Sequence, residues 1–170
     1  MTRKQAGFSL VELMVVIAVL AIIAAVALPS FQGMRDAARV RSAVEAVYSQ
    51  LQFARSESVK QNRDLFVSVT TGASWCVGIS NVTGCACGTP GSCQFGPAGA
   101  LAENNVLAEN FVGVSLASNL TEFLIDNRRG GTAAAATLTL TGGSSKTGSV
   151  TISPLGRVSI CGNAGGYPSC

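Results

Sequence analysis

Gly7-Phe8-Ser9-Leu10-Val11-Glu12-Leu13, running on as an apolar block to Leu28, decides the reading of this chain. Between Phe8 and Leu28 there is one charge, Glu12, and ahead of the block stand two basic residues, Arg3 and Lys4. As a helix rising about 1.5 Å per residue the block is about 31 Å long, the thickness of a bilayer's hydrocarbon core. A carboxylate in such a helix costs about 3 kcal/mol on insertion scales and calls for a partner. Its place in the first turns, beside the positive end of the helix dipole, offsets part of that cost. A secretory signal fits poorly, because the block is too long and no Ala-x-Ala site ends it. A cut between Gly7 and Phe8 would instead keep the block and leave a free amine on Phe8, with Glu12 as the fifth residue. The basic leader marks the cytoplasmic side, so the chain reads as single-pass, with its bulk on the outer side of the membrane.

These residues resemble the type III signal of the type IV pilin superfamily: Arg3 and Lys4 as leader, Gly7 before the cut, Phe8 after it, Glu12 as the embedded acid. The resemblance implies cleavage by a prepilin peptidase and N-methylation of Phe8. It also implies pairing of Glu12 with the terminal amine of a neighbouring subunit in a filament. Pro29 falls where such proteins commonly have a helix-kinking proline. The implied organisation is a leader over 1–7, a transmembrane and assembly helix over 8–28, an amphipathic continuation over 29–63, and a β-rich domain over 64–170.

Charge and cysteine usage bound the distal part. The formal charge is +3 for the whole chain, but Arg3 and Lys4 leave with the leader, and the part from Asp64 onward carries four basic against five acidic residues. It is no bulk polyanion binder. All six cysteines lie there (Cys76, Cys85, Cys87, Cys93, Cys161 and Cys170), and histidine is absent. An even count confined to an exported domain reads as disulfides. Cys161 and Cys170 pair by proximity. Cys85 and Cys87 are too close to bridge each other, so each takes Cys76 or Cys93 as partner. No C-x-x-C spacing supports zinc, and no cofactor or metal is implied.

From Pro29 the helix is predicted to continue to Arg63, with Val40, Val44, Val47, Leu51 and Ala54 forming a stripe at spacings of four and three that packs on a sheet. Arg35, Arg39, Arg41, Lys60 and Arg63 face away from that stripe. Alternation predicts a hairpin over 65–70 and 74–79, an irregular cross-linked loop over 81–100, and strands over 111–116, 122–126, 136–141, 149–153 and 157–161. One long helix followed by several short strands argues for an α+β fold: the N-terminal helix on antiparallel β-sheets in a small sandwich-like C-terminal domain. The run Leu51-Gln52-Phe53-Ala54-Arg55-Ser56-Glu57-Ser58-Val59 is similar to the helix end of the GspH/FimT family of minor pilins and pseudopilins, with Ser58 where alanine is usual. Gly156-Arg157 resembles that family's terminal Gly-Arg pair. Phe123 followed by Gly130-Gly131 resembles its upstream turn.

Catalysis is not expected. A nucleophile needs a base beside it, and without histidine the remaining route is a Ser–Lys dyad at Ser144-Ser145-Lys146, which sits in a Gly-flanked turn. The contest is between filament roles. The first is a low-abundance minor pilin that primes assembly of a type IV pilus near its tip. The second is a pseudopilin of a type II secretion system. The third is DNA capture for natural transformation. Some members of the resembled family bind DNA through Gly-Arg-x-Arg; here Arg157 matches but Ser159 takes the second arginine's place, leaving Arg128, Arg129 and Lys146 as further candidates.

Overall fold

The computed structural model describes residues 9–170, with the backbone alone over 26–30. Gly7, Phe8 and the rest of the expected leader therefore lie outside the described residues, as does the Pro29 side chain. The chain divides into two compact units, one up to Arg35 and one from Asp36 to Cys170, each described by itself. A single helix, α1, runs over Leu10–Lys60.

In the first unit, every described side chain from Ser9 to Ala25 is exposed. Leu10, Val11 and Ile22 are 73%, 66% and 67% accessible, so this part of α1 is apolar all round, with nothing in its own unit to cover it. Among the described residues no helix is long and apolar enough to cross a membrane. Near the unit's other end Arg35 lies 5.9 Å over the Phe31 ring.

The second unit is built on the predicted stripe. Val40, Val44, Val47, Leu51 and Ala54 are fully buried, with Ala43 beside them, in one core with both sheets. Full burial of such aliphatic side chains contributes about 1.5–3 kcal/mol each. Ser58 is also fully buried, and its hydroxyl donates to the Arg55 carbonyl at 2.9 Å. A small residue whose one donor is satisfied within the helix fits where alanine would. Gln50, buried on the same helix, donates through Nε2 to the Asn104 carbonyl and ties down the approach to the third strand.

Eight strands follow: β1 (Leu65–Thr70), β2 (Cys76–Ser80), β3 (Asn105–Leu107), β4 (Ser115–Ser118), β5 (Glu122–Ile125), β6 (Ala136–Thr141), β7 (Thr147–Ile152) and β8 (Val158–Gly162). They form two antiparallel sheets in the orders β3-β2-β1-β5 and β4-β6-β7-β8. Gly72 and Leu116 join them by exchanging backbone hydrogen bonds of 2.8 and 3.1 Å. On β6 and β7, Leu138, Leu140, Val150 and Ile152 point inward with no exposed surface. The alternate positions carry hydroxyls, Thr137 meeting Thr151 at 3.1 Å and Thr139 meeting Ser149 at 3.0 Å.

The expected α+β architecture stands, with two local corrections. Phe111–Leu116 is not one strand. A short 3-10 turn at Ala108–Asn110 leads into Phe111, which stacks on buried Trp75, and the Val114 carbonyl accepts the Trp75 indole N–H at 2.9 Å. Pairing resumes only at Ser115, because these residues serve the tryptophan rather than a ladder. β3 was not expected: three half-buried residues at a sheet edge carry no alternation to read.

The cysteines form three bonds, Cys76–Cys87, Cys85–Cys93 and Cys161–Cys170. Cys85 and Cys87 thus each take one of the two partners predicted for them. The first bond staples the irregular 81–100 segment to β2, the second cross-links that segment internally, and the third closes the tail.

Candidate functional site

Two regions carry chemistry unlike the rest. The first is the start of α1. Ser9 precedes the helix, and its Oγ accepts the Glu12 backbone N–H at 3.4 Å. Ser-x-x-Glu is the capping-box spacing, in which the serine serves the third helical residue's N–H and the glutamate can return to the serine's N–H. That spacing is legible in the sequence itself. Glu12 is thus the acid of the first turn as well as the one charge of the apolar rod.

The second region is the end of the globular unit where α1 stops. Two turns meet there, one over 126–131 and one over 153–157. The Thr132 N–H donates to the Pro154 carbonyl at 3.3 Å, and the Asp126 N–H to the Gly131 carbonyl at 2.9 Å. Gly130 and Gly156 both adopt left-handed backbone, φ 63° and 78°, and touch. A Cβ on Gly156 would be driven into the Gly130 carbonyl oxygen and would come within 3.0 Å of Arg55 Nε. A Cβ on Gly130 would meet Arg55 Cγ at 2.8 Å. Only glycine permits this approach. The Asn127 N–H donates to Asp64 Oδ1 at 2.9 Å and its Nδ2 to Asn62 Oδ1 at 3.3 Å, locking the first turn to the segment just after α1.

Three stretches distant in sequence therefore converge: the helix end with Arg55, the Gly130-Gly131 turn and the Gly156-Arg157 turn. All three were singled out by family resemblance without any sign that they touch. Arg55 lays its side chain against both glycines, which is the physical reason for small residues at 130 and 156.

Arg128, Arg129 and Arg157 are exposed on these abutting turns. Among the described residues, the ion pairs are Arg39–Asp36, Arg41–Glu45 and Lys60–Glu57, and none involves Arg55, Arg63, Arg128, Arg129 or Arg157. At this pole six basic residues (Arg55, Lys60, Arg63, Arg128, Arg129, Arg157) face three acids (Glu57, Asp64, Asp126), a net +3. The rest of the second unit has three basic and five acidic residues, a net −2.

Lys146 does not join the pole. It lies in the β6–β7 turn, where Ser144 Oγ donates to Asp36 Oδ2 at 2.8 Å. Asp36 and Arg55 are separated along α1 by about 28 Å at about 1.5 Å per residue. A patch combining Lys146 with the arginines is therefore not formed.

The tail docks on the same helix further from the pole. Arg41 Nε donates to Glu45 Oε1 at 2.9 Å, and the Tyr167 hydroxyl donates to that oxygen at 3.2 Å. The hydrogen bond from Arg41 holds the Glu45 carboxyl below its ordinary range. Burial, and then the neighbouring carboxylate, push the Tyr167 phenol up. Ala164, inside the Cys161–Cys170 ring, is fully buried in the main core.

A long helix that is apolar and exposed at its start and sheet-packed further on is the architecture of a type IV pilin-like filament subunit. Comparison narrows the class. The chain belongs to the family described as type II transport protein GspH, which matches residues 43–156, and residues 2–28 match the prokaryotic N-terminal methylation motif. Fimbrial proteins of Pseudomonas aeruginosa are 35% identical over 68 residues, 40% of this chain and 44% of theirs, so the chain spans less than half the length of these relatives. The fold is shared with the type IV minor pilin FimU of P. aeruginosa (TM-score 0.52, 16% identity, 71% of this chain and 87% of that one). It is shared equally with the minor pseudopilin EpsH of the type 2 secretion system of Vibrio cholerae (TM-score 0.52, 12% identity, 73% and 97%).

Proposed function

We propose that this protein is a minor pilin: a non-catalytic subunit anchored once in the inner membrane, cut between Gly7 and Phe8 by a prepilin peptidase, methylated on Phe8, and incorporated into a type IV pilus, whose assembly it helps to prime near the tip. The observation that carries this reading is the bare apolar start of α1, with Glu12 its one charge. Exposed leucine, valine and isoleucine on every side are stable only among lipid or the matching helices of other subunits. Once there, the carboxylate needs a cation, and the amine that cleavage would free at Phe8 of a neighbour is one. Likeness to fimbrial proteins supports a pilus.

The test is Glu12→Ala. The variant should be inserted and shortened by seven residues as usual, yet be missing from sheared filaments; recovery at the wild-type level would refute the reading. A second reading, pseudopilin of a type II secretion system, is favoured by the family match and by the shared fold with EpsH. Deleting the gene separates the two, since one reading predicts loss of surface pili and the other loss of secreted enzymes. For DNA uptake, the arginines of the pole are the supporting feature, with Lys146 excluded from it. A gel shift of duplex DNA at low salt, lost on Arg157→Glu, is the expectation under that reading.

A further inference from the structure

The apex of the 153–157 turn is Leu155, 84% exposed, the most exposed large apolar side chain among those described. It follows Pro154, also exposed, and precedes the Gly156-Arg157 pair that abuts Gly130. An apolar knob thus stands on a turn held against the 126–131 turn, with Arg128, Arg129 and Arg157 exposed on the same two turns and, among the described residues, in no ion pair. Resting on the filament reading above, we propose that this knob is a docking point for the adjacent subunit, whose matching surface is an apolar socket rimmed by carboxylates.

Charge complementarity points to discrete carboxylates rather than to a continuous polyanion. The pole is net +3, but Asp64 and Asp126 lie within it, and a phosphate backbone laid across would pass over both. Affinity for a nucleic acid rises with the number of phosphates neutralised, and of the five arginines here outside the ion pairs of the described residues only Arg128, Arg129 and Arg157 stand on the two turns that carry the knob. Arginine's planar fork, by contrast, fits a carboxylate bidentately. Interface hot spots combine well-packed anchors with arginine near the centre of a patch. A solvent-exposed leucine has no such use against a phosphate backbone. The hydrogen bonds that fix the base, from Thr132 N–H to the Pro154 carbonyl and from Gly156 N–H to the Ser153 carbonyl at 2.8 Å, keep the knob preorganised and lower the ordering cost of association.

The experiment uses the full chain in its host membrane with Leu155→p-benzoylphenylalanine, irradiated and analysed by mass spectrometry. The expected result is an adduct to a second protein that itself carries an N-terminal methylation motif, at a site flanked by at least two Asp or Glu residues. Adding Arg128→Glu, Arg129→Glu and Arg157→Glu should lower the adduct yield at least tenfold, and changing the partner's flanking carboxylates to lysine should restore it. Correct shortening and a cooperative melt of the reversed variant in detergent, read by the buried Trp75, show that it has folded. An adduct yield indifferent to the three reversals overturns the proposal. So does an adduct to DNA, or the absence of any protein adduct from a chain recovered in filaments. An adduct formed by a chain that never enters filaments would sink the filament reading instead and leave the docking point standing.

Discussion

Gly156 and Gly166 share one backbone angle, φ 78°, in opposite surroundings: Gly156 is pressed against Gly130 and Arg55, while nothing lies within 4 Å of a Cβ built on Gly166. Alanine at 166 should cost only left-handed strain, about 1–2 kcal/mol. Alanine at 156 adds an overpacking cost of about 1–3 kcal/mol, because the clashing atom is a main-chain carbonyl held by its own turn. The pair therefore isolates packing from strain. For a unit of this size about 1 kcal/mol corresponds to about 3–4 °C, so Gly156→Ala should unfold roughly 3–12 °C below Gly166→Ala. The chain's single tryptophan, Trp75, is 1% exposed and bonded to Val114, so its fluorescence on heating the detergent-solubilised protein reports the transition. Equal midpoints for the two variants would refute the claim that the two glycine turns are held by contact with each other and with Arg55.

Other outcomes follow from the tail and from the rod. Replacing Cys161 and Cys170 by serine opens a ring whose ends are nine residues apart, which on the chain-entropy estimate costs about 2.7 kcal/mol; the variant should melt below the parent and gain nothing from oxidant. Glu45 is held below its ordinary range, first by its hydrogen bond from Arg41, so its contribution is present above the unfolded value near 4.5 and fades as pH falls through the folded one. Glu45→Gln should flatten that acid limb in melts between pH 3 and 6 and loosen Tyr167, read as faster amide exchange over 163–169. Ser9→Ala should fray the start of α1, at a cost of about 1 kcal/mol, without moving the Gly7–Phe8 cleavage point, as amino-terminal sequencing would show.

Much of this was legible because it is local. The buried stripe of α1 is a matter of period, and all five predicted positions came out with no exposed surface. The tail disulfide is a matter of proximity, and the strands of the second sheet alternate cleanly between aliphatic and hydroxyl residues. What was not legible is what depends on distant partners. Nothing in the sequence around Phe111 says that it must stack on Trp75, 36 positions earlier. Nothing in the sequence around Arg55 says that Gly130 and Gly156 arrive beneath it. Lys146 reads as a companion of the arginines until the β6–β7 turn is seen beside Asp36. The Ser9–Glu12 cap is different: its spacing is local and readable, beside the stronger signal of a lone acid in an apolar block.

The covalent links are all short-range, separated by 11, 8 and 9 positions, and none joins the two sheets. Only the Cys161–Cys170 ring has its right partner nearest in sequence, so it can be shut by an oxidant before any sheet exists. For Cys76, Cys85, Cys87 and Cys93 a wrong partner lies nearer than the right one, so the correct pairing there waits until β2 and the 81–100 segment have taken their places.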